Sequence, residues 1–217
     1  MFNQTTSRWL QKLERRLSWL AVTNIATFIV GLQFVGFLLV YSDPAWLFRL
    51  ALVPQLVLQG EAWRLITFLA LPISSSPIWL IFVLWFLYFI IDGIESAWGS
   101  FRTTFYILIS VLLTICFSLI FMVPITSVKD LESTLFLAAA AIAPDFEILL
   151  FLVLPVKIVW IAWLTALFVL WRLITGSWLD QLYLLAIYSN YLLFFGPYHY
   201  GQLKQRYRRW NFKRQLR

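Results

Sequence analysis

Two acids are the first residues in this chain that could do chemistry. Asp92 and Glu95 stand in the stretch IIDGIESAWGS (90–100), between the apolar runs 77–89 and 104–123. Three residues apart on a helix, they lie near each other on one side of it. Such a pair could handle a proton, or could close a helical hairpin. The other reactive groups are few: one histidine (His199), one cysteine (Cys116), and the hydroxyl of Ser133 next to Glu132. Cys116 has no second thiol for an internal disulfide or a metal pair, and inside an apolar run it is expected to be a small core residue. The sequence has no cluster of histidine, cysteine and carboxylate at ligand spacing and no glycine-rich phosphate loop, so no metal and no cofactor are expected.

These residues sit in a chain built for lipid. Of its 217 residues 62% are hydrophobic and 12% charged, against about 45–50% and about 25% in soluble domains. The polar, basic start MFNQTTSRWLQKLERRL is unlike a cleavable signal, so the first apolar run is expected to stay in the membrane. A bilayer crossing takes about 20 apolar residues. On that measure the sequence predicts an all-α polytopic protein of one domain with six hydrophobic helices, at about 18–41, 77–98, 101–123, 132–143, 157–174 and 178–196. Residues 1–17 form a basic N-terminus, 18–196 the membrane domain and 197–217 a basic tail. Segment 42–76 is broken by Asp43, Pro44, Arg49, Pro54, Glu61 and Arg64. It is expected to lie at the interface, with Trp46 and Trp63 near the headgroups. Arg64 is expected to snorkel there and bond loop carbonyls.

Basic residues set the orientation. Arg8, Lys12, Arg15 and Arg16 precede the first helix, and Lys204, Arg206, Arg208, Arg209, Lys213, Arg214 and Arg217 follow the sixth. Arg102 and Lys157 fall on that same side, while Arg49, Arg64, Lys129 and Arg172 fall on the other. Both termini are therefore expected in the cytoplasm. The formal charge of +7 then reflects topology and contact with anionic lipid; no nucleic-acid partner is expected.

In this frame the second helix ends at Asp92 and Glu95, near the cytoplasmic interface. Gly99 suits the left-handed residue that ends a helix and Ser100 the N-cap of the next. Acids near a helix C-terminus oppose its dipole; Arg102 or a neighbouring helix's first amides are the candidate partners. The fourth helix, STLFLAAAAIA before Pro144, spans only about 18 Å of a core about 30 Å thick. Its ends cannot face lipid unsatisfied, so it is expected inside the bundle, with segment 124–131 dipping in above it and a water-accessible hollow on the outer side. Asn24 in the first helix and Asn190 in the sixth are expected at similar depth, and a bond between them is possible if their helices touch.

Four segments together resemble the rhomboid family: GEAWRLITFLALP (60–72), GIESAWGSFRTTFY (93–106), PDFEILLFLVLPVKIVWIAW (144–163) and NYLLFFGP (190–197) with its basic tail. In GIESAWG the matching residues are Gly93, Glu95, Trp98 and Gly99, followed by Ser100. The resemblance implies a six-helix rhomboid core over about residues 60–200, and the last segment is similar to certain bacterial members, which implies a bacterial plasma membrane. It does not imply activity. Rhomboid proteases use a serine in G-x-S-G at the fourth helix and a histidine in the sixth. This chain has no Ser-Gly dipeptide, and Ile187, Tyr188 and Ser189 surround the expected histidine position. The oxyanion-side positions of the second helix hold Trp79 and Val83. His199 lies past the sixth helix, and Ser133 is the remaining hydroxyl, without an evident base. The expectation is a non-enzymatic rhomboid-like pseudoprotease that binds transmembrane segments of clients. The alternatives are an intramembrane serine protease with a non-standard site at Ser133, and a small transporter, which would need ionisable groups at mid-membrane.

Overall fold

The structure, a computed structural model, describes residues 8–150 and 154–215. A short amphipathic helix, α1 (Arg8–Leu17), buries Leu10 in the main core and turns through a 3₁₀ segment at Ser18–Leu20. The chain then breaks at Asn24, which takes a left-handed φ of 59°, and enters α2 (Ile25–Ser42). The first long helix thus starts at residue 25, not 18. The apolar run Trp19–Val22 masks the break in the sequence, and asparagine is one of the few residues that tolerate the left-handed region.

Segment 42–76 folds into three short helices, α3 (Ala45–Leu50), α4 (Pro54–Leu58) and α5 (Arg64–Thr67). A β-bridge between Leu52 and Ile125 ties this layer to the chain before the later short helix. Leu50, Leu52, Phe68, Leu71, Ile125 and Val128 share a core there. The layer sits directly on α2: a Cβ at Gly36 would lie 1.7 Å from the Ala70 carbonyl oxygen.

The hairpin of α6 (Pro77–Trp98) and α7 (Ser100–Phe121) turns at Gly99, whose φ of 92° suits a residue without Cβ. Next comes α8 (Lys129–Ile142), buried at every position from Thr134 to Ile142. A helix apolar on all faces belongs inside a bundle, and the Ala138–Ala141 run lets its neighbours approach closely. A short antiparallel hairpin follows, β1 (Glu147–Leu150) with β2 (Leu154–Lys157), in register Glu147 to Lys157. It amends the all-α expectation, and Pro155, which holds its predecessor extended, is the local cause.

The chain ends in α9 (Ile158–Thr175) and α10 (Trp178–Gln215). The sequence reading ends the sixth helix at 196, but α10 continues through Pro197. Among the described residues four helices, α2, α6, α7 and α9, are long and apolar enough to cross a membrane. They measure about 27–33 Å. α8 is shorter, and the first half of α10 is diluted by Asp180, Gln181 and Asn190. On α9, Trp160, Trp163, Leu164, Leu167 and Phe168 are exposed and only Ile158 and Ala162 are buried. A face that apolar suits hydrocarbon rather than water. Cys116 is exposed on α7 rather than packed in the core. One end of the bundle gathers α1, the Gly99 turn and Phe195, which packs on Trp98; the other carries α3–α5 and the start of α8. We call these the terminal end and the loop end.

Candidate functional site

The first two turns of α8 send polar groups to four neighbouring helices. Asp130 Oδ1 accepts from Arg172 of α9 at 2.6 Å, and Arg172 also donates to Asp180 of α10 at 2.6 Å. Glu132 accepts from the Gln33 amide on α2. Ser133 donates to the Asp130 carbonyl at 2.8 Å and lies 2.5 Å from the Tyr188 hydroxyl of α10. The Thr134 carbonyl accepts from Tyr106 of α7 at 3.1 Å. Acids in the first turn also complement the helix dipole.

Ser133 has one proton, and the Asp130 carbonyl can only accept. With that proton committed to Asp130, the Tyr188 O–H must donate to Ser133 Oγ. Both hydroxyls are then engaged, and neither partner of Ser133 can take up a proton as a general base does. Ser133 and Glu132 line a cavity of about 360 Å³ between α6, α8 and α9. Val83, at an expected oxyanion-side position, also faces it and offers no donor, while Trp79 is exposed and packs against Phe82. His199 lies elsewhere: its Nε2 is 2.7 Å from the Tyr191 hydroxyl, eleven residues beyond Tyr188 and about 16 Å further along α10. Burial holds its pKa below the ordinary histidine value.

The GIESAWG residues answer the question posed by the paired acids. Glu95 Oε1 accepts from Ser100 Oγ at 2.6 Å and from the Asn24 backbone N–H at 3.0 Å. The expected amide at a neighbouring helix's start is therefore the Asn24 amide. Arg102 is not the partner of either acid: it donates to Glu14 of α1 at 3.0 Å. Ser100 is the first residue of α7, and its hydroxyl goes to Glu95 instead of capping. Trp98 is buried between Tyr106, Phe194 and Phe195. Asp92 and Gly93 are exposed, and nothing lies within 4 Å of a Cβ placed on Gly93. These residues join α1, α2, α6 and α7 at the terminal end.

Asn24 and Asn190 do not meet. Asn24 is exposed at the start of α2, whereas Asn190 is buried and donates to the Tyr106 carbonyl at 2.9 Å and to Ser110 Oγ at 2.6 Å. The left-handed turn at 24 removes the helical register on which equal depth depended. Arg64 bonds loop carbonyls as expected, but from within: it is 4% exposed, pairs with Glu61 at 2.6 Å and donates to the carbonyls of Phe48, Arg49 and Ala51 at 2.7–2.9 Å.

One pairing was missing from the sequence reading, that of Glu132 with Gln33. Gln33 is the ninth residue of the 18-residue α2, about 12 Å from its start, and Glu132 is bonded to it. The available signal was an amide in the middle of an apolar helix; the partner, 99 residues away, left none. No family model, no curated protein and no solved structure matches this chain.

Proposed function

We propose that α8 and the first half of α10 join the four apolar helices in a six-span, rhomboid-like bundle. The protein is a pseudoprotease that binds transmembrane segments of client proteins and hydrolyses no peptide bond. Both chain ends face the cytoplasm of a bacterial plasma membrane, in keeping with the basic residues around α1 and along the end of α10.

The observation that carries the first half is the bonding of Ser133. A serine nucleophile needs a neighbouring base to receive its proton, and here the proton goes to a backbone carbonyl while a phenol donates to the oxygen. Phenols titrate near pH 10, so tyrosine is a poor substitute for imidazole. The sole histidine, eleven residues beyond Tyr188 on α10, is bonded to Tyr191.

Client binding is supported by the cavity beside α9. It is mostly apolar, with Phe82, Phe86 and Phe136 on its wall, and carries Lys129, Glu132, Ser133 and Thr165 as polar points. α9 closes one side of it with little packing of its own. A helix entering between α6 and α9 would bury apolar surface and find partners for its own polar groups.

The test is a photoreactive residue at Phe82 in native membranes, with one at lipid-facing Ile120 as control. Protein adducts from position 82 that map to apolar helices of other proteins are expected. Lipid adducts alone at both positions would overturn client binding.

A further inference from the structure

Glu132 and Gln33 are left with unequal bonding. Gln33 is 1% exposed, and its amide donates to Glu132 Oε1. Its own carbonyl oxygen, Oε1, is buried without a partner. An unpartnered carbonyl in the middle of a bundle bears the full desolvation penalty of that group. A carboxylate cannot relieve it, because an ionised carboxyl only accepts. A carboxylic acid can: its O–H donates to Gln33 Oε1 while its other oxygen keeps the amide N–H, which makes a two-bond acid–amide pair.

Two groups favour an ionised Glu132, the N-terminus of α8 and Lys129 three residues away, and the rest of its surroundings do not. On α8, Lys129 lines the same cavity but is exposed, and Asp130 is an acid. Arg172 on α9 is held by Asp130 and by Asp180 of α10. From α10, Tyr183 and Tyr188 bring neutral phenols, and α7 brings Tyr106, which donates to Thr134. Arg64 in the loop layer pairs with Glu61. The parts of α6 that line the cavity are apolar, Phe82 to Ile90. An unpaired charge buried among apolar helices is disfavoured.

Glu132 also stands where two cavities meet. The first, of about 360 Å³, begins at the loop end beside Ile73 and Lys129. The second, of about 340 Å³, passes Gln33 and extends to Val22 and Thr104 at the terminal end. Both are lined by Glu132.

We propose that Glu132, with Gln33, is a proton-binding site inside the bundle. Its ligand is a proton taken from water in the cavities. Binding converts the carboxylate to an acid that donates to Gln33 Oε1; release returns the proton to water and leaves Gln33 Oε1 unpaired again. The site does not depend on client binding and stands whether or not that reading does.

The experiment is infrared spectroscopy of the full-length protein in liposomes at neutral pH. The carbonyl band of a protonated carboxyl should be present in the wild type, sensitive to deuterium exchange, and lost completely in Glu132→Gln. In Gln33→Leu, which keeps the carboxyl but removes its partner, the band should move to the position of a free acid. If Glu132→Gln does not fold, the Gln33→Leu shift alone decides. Absence of any protonated-carboxyl band in the wild type, a band that survives Glu132→Gln, or a band unmoved by Gln33→Leu would overturn the proposal.

Discussion

Ser133 and Tyr188 are the residues on which the proposed absence of hydrolysis turns, and their bond can be measured. Tyr188→Phe removes one donor, and Ser133→Ala removes the acceptor together with the bond to Asp130. Each should lower unfolding free energy in detergent by about 1 kcal/mol. The double variant should lose less than the sum, because the two share one bond; strict additivity would show that the hydroxyls do not interact. Arg64 is a harsher case. Arg64→Leu leaves three carbonyls and Glu61 without their donor, and unfolding experiments should register a loss of about 3–5 kcal/mol. At this scale the sequence was legible where partners are near in the chain. Glu95 with Ser100 follows from a helix end and a turn. Asn190 with Tyr106, and Glu132 with Gln33, pair across 84 and 99 residues, and nothing local announces which side chains converge.

At the scale of elements, long apolar runs gave their bounds directly. The second helix is expected at 77–98 and found at Pro77–Trp98; the fifth is expected at 157–174 and found at Ile158–Thr175. The short fourth helix and its burial follow from its length, since it cannot satisfy its own ends in lipid. The errors fall where apolarity and helicity part company. Trp19–Val22 is apolar but not α-helical, residues 147–150 and 154–157 are largely apolar but pair as strands, and α10 outlasts its apolar half and Pro197. The seat of α2 on the loop layer gives a sharp prediction. Gly36→Val forces a side chain against the Ala70 backbone, and such overpacking should cost about 1–3 kcal/mol, seen as a lower thermal midpoint; Gly31→Val, with nothing within 4 Å, should cost less. Equal losses at the two positions would mean that α2 does not pack as described.

At the scale of the whole molecule, two ends are held and the middle is open. The terminal end is tied by Glu95, Trp98 and the Arg102–Glu14 pair, and the loop end by Arg64 and the Leu52–Ile125 bridge. Between them α8 is enclosed on all sides while α9 shows most of its apolar surface outward. On the proposed reading an apolar guest enters beside α9 without disturbing this core, and Ser133 is held by Asp130 and Tyr188 rather than activated. Fluorophosphonate labelling of native membranes tests this most directly, since the probe reports an activated serine hydroxyl. Equal and negligible labelling of wild type and Ser133→Ala is expected. Strong labelling of the wild type that disappears in Ser133→Ala would contradict it and restore a peptidase.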